Sequence, residues 1–255
     1  VWIFSNEFFQ NKTLSFFSVL ILEGIYFYNF TTPEFNVNVC QLPFWALTVY
    51  YCWKGIKQND NISWLLFGLF AALGVLSKYL FIYLLIAIDI FFIYMIIYKK
   101  FNYKCLVSLI SFFIVLSPHF FWLIENNYTT FTYAFHRTGI EGQDFFEGHF
   151  VNPIIFLGKQ AGILLPFLIM IFVIIKKFKT KINLKNEKLL FLIIINIVPI
   201  ILIFLTSLLA GVKIRTMWMT PFYLFVGVLL VYLFYEKINL KKLKYFFSIF
   251  LFLFI

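Results

Sequence analysis

Apolar runs near the length needed to cross a membrane recur along this chain. A helix needs about 20 predominantly apolar residues to span the roughly 30 Å of bilayer hydrocarbon. Hydrophobic residues make up 63% of the chain and charged residues 13%, against about 25% charged in a soluble domain. The runs predict an all-α, polytopic transmembrane helical bundle with about nine to ten spans.

The basic residues take sides. Sixteen of the twenty-one Lys and Arg fall in every second gap between apolar runs, leaving Lys78, Arg137, Lys159, Lys213 and Arg215 at the other ends. This is the positive-inside pattern. It assigns Lys57, Lys100, Lys181 and Lys242 to the cytoplasmic face, and Lys78, His136 and Lys213 to the outer face. The formal net charge of +10 then belongs mostly to cytoplasmic loops, which suit anionic lipid headgroups. No loop joins a basic patch to stacking aromatics, so nucleic acid is not an expected partner.

One run is too long for one crossing. Residues 62–98 form 37 apolar-rich positions, roughly 55 Å as a continuous helix. They are expected to fold back once, at Ser77-Lys78, the polar pair near their middle. Residues 13–30 are expected to cross outward, with Pro33 breaking the chain into a short outer loop. The chain starts without Met inside an apolar stretch and stops inside another. Both ends are therefore expected to be truncations of a single domain covering 1–255.

The longest polar segment, residues 123–152, carries Glu125, His136, Arg137, Glu141, Asp144, Glu147 and His149. An amphipathic helix lying along the interface explains its aromatics and snorkelling charges. A sharper reading starts from His136-Arg137. Arg makes two-point contacts to phosphate, and His can add a donor or ligate a metal. Lys78 stands in an apolar hairpin, and Lys213 with Arg215 forms another cluster on the face that has few lysines. Together these clusters point to an anionic ligand. Glu34, in the outer loop after Pro33, is a candidate general base, or an ordinary solvated acid. Glu23 and Asp89 lie within apolar runs, where acids are costly. The three cysteines, Cys40, Cys52 and Cys105, have no metal-ligand spacing. No P-loop, HExxH or GxSxG occurs, which argues against an ATPase, a zincin protease and an α/β-hydrolase.

Five stretches in order carry a resemblance: TTPEFNVNVCQLPFWALTVYYCWKGIK, WLLFGLFAALGVLSKY, SPHFFWLIENNYTTFTYAFHR, IIFLGKQAGILLPF and GVKIRTMWMTPFY. They resemble the GT-C glycosyltransferases that use dolichyl- or polyprenyl-phosphate sugars, including protein mannosyltransferases and aminoarabinose lipid A transferases. The resemblance implies sugar transfer from a polyprenyl-phosphate donor to a lipid, protein or glycan acceptor at the outer face of a membrane, expected to be a bacterial inner membrane. It implies a catalytic acid on a first outer loop, expected upstream of Val1. It also implies that His136 and Arg137 contact lipid phosphate and that a divalent metal could take part. Two departures stand out. Asn38 occupies a position where the family often has Asp, and KIRTMW is basic where the family has an acidic "E.NW".

The expected function is an inverting glycosyltransferase whose donor phosphate is held by Arg137, Lys78, His136, Lys213 and Arg215, with Glu34 as a candidate base. A transporter or flippase of lipid-linked sugars would use the same anionic sites without cleaving a bond. A non-catalytic membrane assembly subunit is the third reading.

Overall fold

The computed structural model describes residues 1–32, 34–138, 144–178, 180 and 182–254. Pro33, Glu141 and Lys181 lie outside the described residues. Among those described, the chain is helical with no strand, and one isolated antiparallel bridge joins Ile175 to Ile238.

Twelve α-helices are described: α1 (Trp2–Asn6), α2 (Lys12–Leu20), α3 (Tyr26–Asn29), α4 (Val37–Gln58), α5 (Asn61–Ser77), α6 (Ile82–Ile97), α7 (Val107–Glu125), α8 (Thr129–Thr138), α9 (Asn152–Ile174), α10 (Glu187–Ala210), α11 (Val226–Phe234) and α12 (Leu243–Phe254). Four helical stretches are long and apolar enough to cross a membrane: Tyr79–Ile97, Tyr103–Glu125, Glu147–Ile174 and Glu187–Ala210. Thr216–Tyr223 and Val226–Lys237 form a fifth if their 48° bend lies within one span. The nine to ten crossings expected from the sequence exceed this number. Residues 13–30 do not form one helix. The chain tightens into a 3-10 turn over Ile21–Gly24, and Ile25 is extended at φ −98°, ψ 121°. Gly24 there lies against Phe167 and Met170 of α9.

The hairpin expected in residues 62–98 is present. α5 ends at Ser77, and Lys78 is extended at φ −168°, ψ 133° before a 3-10 turn over Tyr79–Phe81 leads into α6. The two arms run antiparallel. Gly74 faces the Phe81 ring near the bend, while Trp64 and Phe67 meet Phe92 farther away, with ring centroids 6.1 and 6.4 Å apart. α5 also packs closely on α7 at Gly68. A Cβ there would lie 1.9 Å from the Ser108 carbonyl oxygen, so only glycine permits the approach.

Basic groups gather at the far end of the hairpin from Lys78. Lys104 donates to the Asn59 carbonyl at 3.2 Å, Lys100 pairs with Glu187, and Lys188 donates to the Glu7 carbonyl at 2.8 Å. Between the two ends the core is a mesh of aromatic rings. Phe191 meets Phe4, Trp53 and Phe91 with centroids 5.0 to 6.4 Å apart.

Candidate functional site

The site is built at the bend of the α5–α6 hairpin. α4 begins beside it because Asn36 caps the helix, its side-chain oxygen accepting from the backbone N–H groups of Asn38 and Val39. The cap sets Asn38 and Gln41 three residues apart, on one face of the first turn. Gln41 Nε2 donates to the Lys78 carbonyl at 2.9 Å, and Lys78 Nζ donates to Asn38 Oδ1 at 2.5 Å. The first turn of α4 thus holds Lys78 by both main chain and side chain.

Lys78 also lies over the indole of Trp218, 4.7 Å from the ring centroid. Its pKa is lowered from the ordinary 10.5 to about 7, first by burial and then by the nearby charges of Arg137 and Arg215. Its two named partners, an amide and an aromatic face, carry no formal negative charge. An ammonium in that setting gains from any anion that enters.

Beside Lys78 opens a cavity of about 770 Å³. Lys78, Tyr79, His119, Tyr133, Arg137 and Trp218 supply its polar and aromatic walls, and Val75, Leu76, Leu80 and Ile82 its apolar ones. Tyr79 Oη lies 2.7 Å from His119 Nε2 and 2.8 Å from Thr130 Oγ1, and its ring stacks on Phe131. These contacts tie α8 to the hairpin. Arg137, in the last turn of α8, donates to Tyr133 Oη at 2.5 Å one turn back.

A second cavity, of about 1110 Å³, adjoins the first, and Arg137, Thr138 and Met217 line both. His136, Lys159, Lys213 and Arg215 line only the larger one. The segment from Val212 to Arg215 explains how two of these arrive together. It is non-helical, with Val212 and Ile214 buried and Lys213 and Arg215 exposed. Alternation of that kind sends alternate side chains to one side. The Lys213 N–H donates to the Thr138 carbonyl at 3.2 Å, fixing the segment against the end of α8.

The structure brings Lys78 and Arg137 to one cavity, and His136, Arg137, Lys213 and Arg215 to its neighbour. It does not bring Glu34 to either wall. Glu34 is exposed, and its carbonyl accepts from the Asn36 side chain at 3.1 Å in the turn that starts α4. No carboxylate is among the described residues lining the two cavities. Among the described residues, no group of three or more His, Cys, Asp or Glu could hold a metal ion. His149, in the same outer segment, instead contacts the Leu208 carbonyl at 2.8 Å.

Residues 1–122 match the family model of dolichyl-phosphate-mannose-protein mannosyltransferases. That match, to a GT-C type of family, implies a membrane glycosyltransferase using a polyprenyl-phosphate sugar donor. It agrees with helices apolar enough to make this an integral membrane protein. The mannosyltransferase match spans Asn38, Lys78, Tyr79 and His119, and stops before Arg137 and the Val212–Arg215 segment. No curated protein and no solved structure matches the chain.

Sequence reasoning missed Tyr79, His119, Thr130 and Trp218. Tyr79 and Trp218 lie next to motif residues that were singled out, but pairing across four elements leaves no local pattern in the chain. Lys213 and Arg215 were singled out as a basic cluster, and the apolar–basic alternation of Val212 to Arg215 accounts for their arriving together.

Proposed function

We propose that the chain carries the donor site of a glycosyltransferase that moves a sugar from a polyprenyl phosphate to an acceptor at the outer face of a membrane. The observation that carries this reading is the shared cavity of Lys78 and Arg137, cationic in its polar wall and aliphatic beside it. A lipid phosphate has that same division of charge and hydrocarbon. Arg137 would offer a planar two-point contact, and Lys78 a point charge. His136 adds a polar group to the neighbouring wall.

The chemistry needs cations where these stand. As the acceptor oxygen bonds to the sugar's anomeric carbon, the bond from that carbon to the phosphate oxygen breaks. The electron pair remains on the phosphate, which gains a negative charge, and the acceptor's proton passes to a base or to solvent. Preorganised cations facing that oxygen stabilise the developing charge more than the starting diester. The outward orientation rests on the lysine bias of the loops.

The test is reconstitution of the full-length protein in liposomes with a polyprenyl-phosphate-mannose donor and a membrane extract as acceptor source. Release of polyprenyl phosphate with transfer of labelled sugar is expected. Movement of the intact donor between leaflets, with no bond cleaved, would support the transporter reading instead.

A further inference from the structure

A third cavity, of about 900 Å³, lies at the end of the bundle away from the hairpin bend, among the basic groups gathered there. Its wall comes from three segments far apart in the chain. These are the α1–α2 turn with the start of α2, residues 180–189 leading into α10, and the end of α11 as far as Lys237. Hydrogen bonds join them. Lys188 Nζ donates to the Glu7 carbonyl at 2.8 Å, Asn186 Nδ2 to Tyr232 Oη at 3.1 Å, and Thr180 Oγ1 to the Leu233 carbonyl at 3.2 Å. The lysine bias puts this end at the cytoplasmic interface, level with the inner-leaflet headgroups.

The wall differs in kind from those at the other end, whose described lining residues carry cations and no carboxylate. Here Lys188 and Lys237 stand with Glu236. The Lys188 ammonium gives one proton to the Glu7 carbonyl and lies 5.6 Å from the centroid of the Phe8 ring. An ammonium has three donors, so two remain. Asn183 takes the Lys185 N–H on its side-chain oxygen at 3.1 Å, which leaves its amide hydrogens to donate. These donors suit phosphate oxygens. Glu236 accepts from the Tyr235 hydroxyl at 2.7 Å and keeps lone pairs for a second donor. A ligand bearing both a phosphate and a primary amine meets both sets of groups. Phe8, Phe9, Leu14, Leu233 and Phe234 add apolar surface for glycerol and the first methylenes. We propose that this cavity holds the headgroup of an inner-leaflet aminophospholipid of the phosphatidylethanolamine type, its phosphate on Lys188 and Asn183 and its ammonium on Glu236. The site is separate from the donor cavity and stands whether or not that cavity holds a polyprenyl phosphate. A lipid seated there clasps the α1–α2 turn to α10 and α11, so its binding stabilises the bundle.

Native mass spectrometry of the full-length protein, delipidated in a non-ionic detergent, tests this. The probes are dioleoyl phosphatidylethanolamine, phosphatidylcholine and phosphatidylglycerol, with soluble glycerophosphoethanolamine beside them. The ethanolamine lipid is expected to bind roughly tenfold tighter than the other two lipids, because choline has no N–H for Glu236 and glycerol has no charge for it. K188A should weaken the ethanolamine and glycerol lipids alike, by roughly tenfold. E236Q should weaken the ethanolamine lipid by about as much and leave the glycerol lipid within about twofold, which removes the preference. N183A replaces K188A if that variant does not fold. K241A removes an exposed lysine outside the wall and should leave every affinity within about twofold, as a surface charge does. Equal binding of the three lipids would overturn the site. So would a preference that survives E236Q, or a loss in K241A as large as in K188A, which marks diffuse attraction to the basic face. The soluble headgroup should bind at least roughly tenfold more weakly than the lipid, having no methylenes to bury. Equal affinity for the two would overturn the assignment to a lipid.

Discussion

Lys78 donates to Asn38 at 2.5 Å, an ammonium held by an amide where a carboxylate would have neutralised it. The pair joins the start of α4 to the bend of the α5–α6 hairpin and leaves the positive charge available. Substitution N38D would convert the contact to an ion pair and raise the Lys78 pKa, by roughly one unit or more for an opposite charge at this distance. Polyprenyl phosphate binding should then weaken at pH 7, and its fall-off should move to higher pH. A titration of binding between pH 6 and 9.5 measures both, and an unchanged midpoint would contradict the role given to Asn38.

The lowered pKa of Lys78 fixes the sign of two pH effects. Its folded value of about 7 lies below the ordinary 10.5, so unfolding takes up a proton between these limits. The contribution of Lys78 to stability therefore rises with pH across that window, and its full penalty is present below about 7. K78M should flatten the rise and raise the thermal unfolding midpoint of the empty protein at pH 6 to 7. Anion binding favours the protonated amine, so wild-type affinity for polyprenyl phosphate should fall as pH rises above 7 and should be accompanied by proton uptake.

Tyr79 is the bolt between the hairpin and α8. Y79F keeps the ring stacked on Phe131 but loses the contacts to His119 and Thr130. A loss of about 1–2 kcal/mol in local stability is expected, seen as faster hydrogen exchange over Thr129–Thr138. Exchange unchanged from wild type would show that other contacts hold α8.

Gly68 sets the spacing of α5 and α7. A methyl group 1.9 Å from the Ser108 carbonyl oxygen forces the helices apart, and overpacking of this kind costs about 1–3 kcal/mol. G68A should lower the unfolding midpoint in detergent, whereas alanine at Gly162, where a Cβ meets nothing within 4 Å, should not.

Parts of this arrangement were legible in the chain and parts were not. That residues 62–98 fold back followed from length, since 37 residues of helix overshoot the membrane, and the polar pair Ser77-Lys78 marked the place. Arg137 and Lys78 were conspicuous because cations are scarce on their face. The breaks in residues 13–30 were hidden: Ile25 has no breaker's chemistry, and only the packing of Gly24 on α9 makes the kink intelligible. Glu34 stood as a candidate base or an ordinary solvated acid, and the structure has it exposed in the turn before α4, outside the lining of both cavities. Trp218 and His119 lie inside stretches that carry the resemblance, but only tertiary packing sets them beside Lys78 and Tyr79.

The orientation of the bundle has its own test. Cysteines placed at positions 57 and 136 should react with a membrane-impermeant reagent from opposite sides of intact cells. Labelling of both from outside would overturn the lysine-based topology.

The most direct measurement is sugar transfer by Arg137 variants of the full-length protein. R137A is expected to lose roughly ten- to a hundredfold in rate, the cost of removing a charged hydrogen-bonding partner. R137K should recover only part of it, because a lysine cannot form the planar two-point contact. Expression and topology should not change, since the side chain is exposed at the end of α8. Transfer by R137A at the wild-type rate would contradict the assignment of the donor phosphate to the cavity that Arg137 shares with Lys78.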